Sequence, residues 1–213
     1  QEAFKNKSNN QRLMLQSLER AADLYESNQA ELMSLAMREA GKTYQDAIDE
    51  VREAVDFLRY YANLAQKVIP NKREALGIFV CISPWNFPLA IFTGQVAAAL
   101  SAGNVVIAKP AESTSLIAYR ATQLLLEAGV PLGILQLALG EGSDVGSYLA
   151  SHPSIAGVAF TGSTRVAKLI KHNLVMNGNA KARVIAETGG LNAMVVDSTA
   201  LSEQVTRDVL DSA

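Results

Sequence analysis

The sequence predicts an α/β protein: a parallel β-sheet with flanking helices, preceded by an N-terminal helical segment. Up to Pro70, apolar residues recur at helical spacing. After Pro70, short apolar runs alternate with helical stretches, an order typical of a parallel sheet whose strands are joined by crossover helices. We therefore expect two units, a helical segment over residues 1–70 that packs on a sheet domain over residues 71–213.

The composition narrows the class of protein. Of 213 residues, 49% are hydrophobic and 19% are charged, and the formal net charge of -2 gives no basis for binding nucleic acid. The single cysteine, Cys81, excludes a disulfide within the chain and, with only two histidines, argues against a metal site. No apolar run reaches the ~18 residues of a membrane span, so we expect a soluble, cytoplasmic protein. Because the sequence opens on Gln1 and stops inside a helical pattern at Ala213, we expect a piece of a longer protein.

Three helices are predicted in the N-terminal third. The first carries an apolar stripe that ends at Tyr25, and the second covers 31–40 and ends at Gly41. Thr43 and Asp46 form a capping box for the third helix. We expect this helix to bury one face and to expose an opposite, charged face to solvent. The charged face consists of Asp49, Glu50, Arg52, Glu53, Asp56 and Arg59.

The sheet domain is expected to alternate strands with helices. Predicted strands cover 78–82, 105–108, 134–139, 157–160, 183–186 and 193–196. Predicted helices cover 89–102, 114–128, 144–150, 164–173 and 201–210. Ligands of such sheets bind outside the carboxyl ends of the strands, so the residues that follow each strand are the candidates for a site.

The first strand runs into SPWNFP at 83–88, a stiff turn because prolines bracket its aromatic and asparagine residues. Held rigidly there, the carboxamide of Asn86 can donate an N–H to a developing oxyanion. The alternative is that Asn86 only satisfies the backbone of its own turn, a common role of asparagine.

The second strand ends in KPAE at 109–112. Lys109 and Glu112 can grip adjacent hydroxyls of a ribose, and an acidic residue there repels a 2′-phosphate. An ordinary surface ion pair at the start of a helix is the alternative.

The fourth strand ends in FTGS at 160–163, just before a helix. Gly162 and Ser163 then lie at the helix N-terminus, where backbone N–H groups and the helix dipole favour a pyrophosphate. Ser163 also suits the N-cap, a role that is compatible with the ligand. No GxGxxG follows any strand, so the usual dinucleotide fingerprint is missing.

The fifth strand ends in ETGG at 187–190. Glu187 is a carboxylate at the end of an apolar strand beside paired glycines, which makes it a candidate general base. A glutamate that fixes a turn is the alternative.

In this order, each at a strand end, the four motifs resemble the successive signatures of the aldehyde dehydrogenase superfamily. The resemblance covers essentially the whole chain and implies a variant Rossmann-like sheet over 71–213 that binds NAD without the GxGxxG loop. The stretches 81–104 and 187–201 look like the pyrroline-5-carboxylate dehydrogenase module of bifunctional proline utilization A. Leu191 stands where general aldehyde dehydrogenases usually have lysine, which is consistent with that branch.

The resemblance implies a role for each candidate residue. In this family a cysteine thiolate attacks the aldehyde, hydride passes to NAD, and water hydrolyses the resulting thioester. Asn86 would hold the oxyanion and Glu187 would activate the water. The other candidates would bind the cofactor: Lys109 and Glu112 at the adenosine ribose, Gly162 and Ser163 at the pyrophosphate, and Trp85 and Phe160 in the wall of the cleft.

The nucleophile that the resemblance implies is not Cys81. In the family the nucleophile follows the glutamate on a later helix, which places it a few residues beyond Ala213, whereas Cys81 lies in an apolar strand where a thiol is normally inert. We therefore expect this chain alone to be inactive, and its parent to oxidise glutamate semialdehyde to glutamate in proline catabolism. The alternatives are a different aldehyde substrate, or a non-catalytic module that binds NAD or a partner.

The closer resemblance also implies features outside this chain. A separate proline dehydrogenase domain of the parent would carry FAD, and the parent would be a homo-oligomer. Any association with a membrane would depend on other domains.

Overall fold

The computed structural model describes residues 7–68, 74–191 and 193–212. Gln1, Ala213 and the predicted boundary at residue 70 lie outside the described residues, so the division into two domains stays a prediction.

The N-terminal third folds into the three predicted helices, α1 over Lys7–Ser27, α2 over Gln29–Ala40 and α3 over Tyr44–Val68. Gly41 ends α2 in the left-handed region, with φ of 66°. The capping box of α3 is confirmed, because Asp46 N–H donates to Thr43 Oγ1 and Thr43 N–H donates to Asp46 Oδ2, both at 3.2 Å.

Strands and helices alternate through the rest of the chain. The strands are β1 over Ile78–Ile82, β2 over Val105–Lys109, β3 over Leu135–Leu137, β4 over Ile155–Gly162 and β5 over Arg183–Thr188. The helices are α4 over Ala90–Ser101, α5 over Ser115–Glu127, α6 over Ser147–Ala150, α7 over Thr164–Met176 and α8 over Ser202–Ser212. A 3₁₀ turn at Glu112–Thr114 precedes α5, and a π-helical turn at Gly142–Gly146 precedes α6. None of the described helices is long and apolar enough to cross a membrane.

The five strands form one parallel sheet in the order β3-β2-β1-β4-β5. The chain moves outward from β1 to β3 on one side, and then places β4 and β5 on the other side of β1. The carboxyl ends of the strands are level, because Ile82 pairs with both Lys109 and Phe160, and Phe160 pairs with Ala186. In such sheets the crevice for a ligand opens where the strand order reverses, here between β1 and β4.

Each face of the sheet carries its own apolar core. On one face, Phe79 and Cys81 of β1 pack in a cluster that includes α1 to α5. On the other face, Val80 packs with α6 and α7. The alternation follows from the two-residue period of a strand. The N-terminal helices therefore share a continuous core with α4 and α5.

Two predictions about individual segments were wrong. Residues 193–196 do not form a strand, and Val195 is 90% exposed, because an apolar run becomes a strand only where a neighbouring strand supplies backbone partners. Glu50 was expected on the solvated face of α3, but it is buried. It lies three residues after Ala47 and four before Ala54, both fully buried, so helical geometry places it on the packed face.

Candidate active site

The first motif forms the turn between β1 and α4, with Asn86 exposed on it. Within the part of the chain that the structure describes, the Asn86 carboxamide makes no hydrogen bond. It therefore does not satisfy the backbone of its own turn, which was the alternative role, and its N–H groups are available to a ligand. Trp85 on the same turn is also exposed, at 57%.

The N-terminal helical segment holds this turn in place. Glu50 is 2% exposed, and its Oε1 accepts hydrogen bonds from the N–H groups of Leu89 and Ala90, each at 2.9 Å. Lys42 Nζ lies 3.1 Å from Glu50 Oε2 and 3.9 Å from the centroid of the Phe87 ring. Contacts from Glu50 of α3 and from Lys42, two residues before α3, therefore reach both sides of Pro88.

The second motif places a buried ammonium group at the end of β2. Lys109 is 2% exposed, and its Nζ donates to the Pro110 carbonyl at 3.0 Å and lies 3.8 Å from Glu112 Oε2. Burial lowers the pKa of Lys109, and the Glu112 carboxylate opposes that shift. The side-chain stem lies against Gly146. Glu112 is largely exposed, but Lys109 is buried. The contact between them is therefore not an ordinary ion pair between two surface residues.

The third motif forms the start of α7. Ser163 is the N-cap, as predicted, since its Oγ accepts from Val166 N–H at 3.3 Å. A Cβ on Gly162 would lie 2.7 Å from Cζ of Phe160, so only glycine fits between that ring and the edge of the sheet. Phe160 itself is 5% exposed, so its ring is buried beneath this edge of the sheet and lies next to Gly162.

The fourth motif ends β5, where Glu187 is exposed and pairs in register with Thr161. No hydrogen bond joins the Glu187 carboxylate to another residue in the described ranges. Glu187 therefore does not fix a turn through its side chain, which was the alternative role. Residues paired across parallel strands point to the same face. Glu187 therefore lies on the face of Thr161, which bonds to α4, while Phe160 and Ala186 point to the face of α7.

Two polar residues at the crevice were not predicted. Gln95 of α4 bridges the ends of β1 and β4, because its Nε2 donates to Ile82 O at 3.3 Å and to Thr161 Oγ1 at 3.0 Å. Its Oε1 and the Oγ of Ser83 are buried without a hydrogen-bond partner among the described residues. Gln95 is the one amide in the apolar helix AIFTGQVAAALS, and this contrast was the signal available in the sequence.

Cys81 has the environment of a structural thiol. It is the fourth of the five residues of β1, is paired with Ala108 and Ala159, and is 1% exposed. Burial raises the pKa of the Cys81 thiol to about 12, so the thiolate that nucleophilic attack requires is strongly disfavoured.

Comparisons with known proteins agree with this architecture. The sequence profile of the aldehyde dehydrogenase family matches residues 1–213. The chain is 58% identical over 200 residues to the bifunctional protein PutA of Klebsiella aerogenes, covering 92% of this chain and 15% of that protein. It is 38% identical to the 1-pyrroline-5-carboxylate dehydrogenase of Anoxybacillus flavithermus, covering 91% of this chain and 41% of the relative.

Solved structures show the same relationship. A crystal structure of proline utilization A from Bradyrhizobium japonicum superposes with a TM-score of 0.91 at 49% identity, over 95% of this chain and 22% of that one. The 1-pyrroline-5-carboxylate dehydrogenase from Thermus with bound NAD superposes with a TM-score of 0.80 at 35% identity, over 84% of this chain and 38% of that one. With its four motifs at the carboxyl edge of one parallel sheet, the chain belongs to the aldehyde dehydrogenase family.

Proposed function

We propose that this chain is the NAD-binding portion of an aldehyde dehydrogenase whose parent oxidises glutamate γ-semialdehyde to glutamate. One observation carries the proposal: the carboxyl edge of the sheet aligns Lys109, Ile82 and Phe160 in register. All four motifs therefore lie at one edge of the sheet, where a fold of this kind is expected to bind its ligand near the reversal of strand order.

The residues at this edge fit a dinucleotide. Two buried polar atoms, Ser83 Oγ and Gln95 Oε1, lack a partner among the described residues and lie where β1 meets β4. Such orphaned atoms are usually satisfied by water or a ligand. Lys109 and Glu112 would hold the adenosine ribose, and the N-terminus of α7 at Ser163 would hold the pyrophosphate.

The cofactor supplies a hydride acceptor when it is bound, and this chain supplies the groups around the reaction. The Asn86 carboxamide donates an N–H to the aldehyde oxygen, which becomes negatively charged when a thiolate adds to the carbonyl carbon. The Glu187 carboxylate takes a proton from the water that cleaves the thioester. It lies at the sheet edge, and none of the described residues forms a hydrogen bond with it. The thiolate belongs to the parent, because Cys81 is buried in a strand.

The relatives support this substrate. Proteins named PutA and 1-pyrroline-5-carboxylate dehydrogenase match more than nine-tenths of the chain. The chain spans 15% of the length of the PutA proteins, so the activity of the whole protein is part of the proposal. So are FAD in a separate proline dehydrogenase domain, homo-oligomerisation, and a cytoplasmic location.

The test is NADH formation by the purified full-length protein. Glutamate semialdehyde, supplied in equilibrium with its cyclic imine, should give a higher kcat/KM than acetaldehyde or a long-chain aldehyde. A clear preference for one of those aldehydes would make the substrate wrong and leave the family intact. No NADH from any of these aldehydes would contradict the enzymatic role and favour a non-catalytic binding module.

A further inference from the structure

Glu50 is the only acidic side chain that is fully buried among the described residues, with its carboxylate completely shielded from solvent. A buried carboxylate is costly unless a cation and hydrogen-bond donors compensate it. Both kinds of partner are present. Lys42 supplies the cation at 3.1 Å, and the first N–H groups of α4 supply the donors at 2.9 Å.

These partners are parts of the turn that carries Asn86. Leu89 and Ala90 follow Pro88, and Phe87 precedes it. The carboxylate holds the first two through their backbone, while Lys42 lies 3.9 Å from the centroid of the Phe87 ring in a cation–π contact. Asn86 immediately precedes Phe87, so Lys42 and Glu50 hold the turn directly beside the carboxamide.

A simple helix cap does not need this arrangement. Glu39 of α2 caps α5 in the ordinary way, since its two oxygens accept from the N–H groups of Leu116 and Ile117 at 3.0 and 2.8 Å. Glu39 is only half-buried, and no cation or ring completes its contacts in the described part of the chain. The burial of Glu50 and the contact of Lys42 with Phe87 therefore call for a second role beside capping.

We propose that Lys42 and Glu50 are positioning residues, which hold the 83–88 turn so that the Asn86 carboxamide meets the oxyanion in a fixed geometry. The inference rests on the proposed function of Asn86. An oxyanion donor must be held within a fraction of an ångström to act. The Asn86 carboxamide makes no hydrogen bond to any of the described residues, so its position depends on the rigidity of its turn.

The test compares Glu50→Ala, Glu50→Gln and Phe87→Leu in the full-length protein. Amide hydrogen exchange should speed up in peptides that contain Leu89 and Ala90, most in Glu50→Ala and less in Glu50→Gln, which keeps an acceptor oxygen. The kcat should fall by ~10-fold or more in Glu50→Ala, and the KM for NAD should stay unchanged. Phe87→Leu removes the ring face under Lys42 and should lower kcat with both backbone hydrogen bonds intact.

A double-mutant cycle separates positioning from general destabilisation. In an Asn86→Ala background the donor is gone, so Glu50→Ala should lower kcat by less than ~2-fold further. The matched control is Glu39→Ala, which removes a cap on α5 and should leave kcat within ~2-fold of the unmodified protein.

Three outcomes would overturn the inference. The first is a near-normal kcat in an active protein that carries Glu50→Ala, and the second is fully additive losses in the cycle with Asn86→Ala. The third is unchanged amide exchange at Leu89 and Ala90. If Glu50→Ala does not fold, Glu50→Gln and Phe87→Leu decide by the same criteria. An unmodified protein that oxidises no aldehyde contradicts the proposed function instead, and the exchange measurement still reports whether Glu50 holds the turn.

Discussion

At the scale of single residues, the site contains side chains without internal partners. Asn86 and Glu187 are exposed and make no hydrogen bond in the described ranges, so both are accessible to a ligand. Lys109 shows a different specialisation, since a buried ammonium group is held in place by its neighbours. Burial lowers the pKa of Lys109, and perturbed pKa values are common at binding and catalytic sites.

The first residue-scale prediction concerns Asn86. Replacement by alanine in the full-length protein should lower kcat by ~10²-fold or more, because one oxyanion donor is lost. Steady-state kinetics with glutamate semialdehyde measure the effect. The control is Asn177→Ala. Asn177 is an exposed asparagine at the C-terminal end of α7, the helix that begins after Ser163. Near-normal turnover in Asn86→Ala would contradict its role as the oxyanion donor.

A second residue-scale prediction concerns the cofactor. Glu112 is largely exposed beside Lys109, and its charge should repel the 2′-phosphate of NADP, so the full-length protein should prefer NAD. Glu112→Gln removes the repulsion of one like charge. This should raise the ratio of kcat/KM for NADP over NAD by about fivefold, since two charges in contact with water interact by about 1 kcal/mol. Glu19→Gln on α1 is the charge-matched control, and an unchanged ratio in Glu112→Gln would refute this role.

At the scale of elements, close packing constrains the strands more than their apolar pattern suggests. Gly157 lies in β4 next to Phe79 of β1, where a Cβ would come within 2.1 Å of ring carbon Cε2. This contact explains why a glycine interrupts an otherwise apolar strand. The Phe79 ring can lie over β4 only because that side chain is missing.

Gly157→Ala should therefore destabilise the chain by about 1–3 kcal/mol, the usual cost of overpacking a core. Urea unfolding measures the change in the free energy of unfolding. Phe79→Leu should recover part of the loss in the double variant, because it shortens the ring that clashes. Gly133→Ala is the control, since nothing lies within 4 Å of a Cβ at that position. Equal losses in Gly133→Ala and Gly157→Ala would rule out the contact with Phe79 as the cause.

At the scale of the whole molecule, the N-terminal helices and the sheet share one core. The hydroxyl of Tyr25 on α1 donates to the Ala121 carbonyl of α5 at 3.3 Å and accepts from Thr93 of α4 at 3.4 Å. Burial raises the pKa of Tyr25. With Glu39 and Glu50 at the N-termini of α5 and α4, the N-terminal segment sets where two helices of the sheet domain begin.

The whole-molecule prediction is that the 213-residue chain alone forms no NADH from glutamate semialdehyde. Its only thiol is Cys81, whose burial raises its pKa to about 12 and removes the reactive thiolate at neutral pH. NAD binding should remain detectable by calorimetry through Lys109, Glu112 and Ser163. Turnover that disappears in Cys81→Ser would show instead that Cys81 is the nucleophile.

The sequence by itself determined the fold class, the order of the elements and the place of the four motifs. These depend on local regularities: apolar periodicity, proline and glycine at boundaries, and the rule that parallel strands collect their carboxyl ends at one edge. The capping box at Thr43 and the N-cap at Ser163 were predictable for the same reason, because each involves atoms no more than one helical turn apart. Only the tertiary structure decided the role of Glu50, the bridge made by Gln95 and the irregular path of residues 193–196. Glu50 and Gln95 bond to residues of other elements, and residues 193–196 lack the neighbouring strand that they would need. A local sequence pattern does not contain this information, because it does not show which elements will pack together.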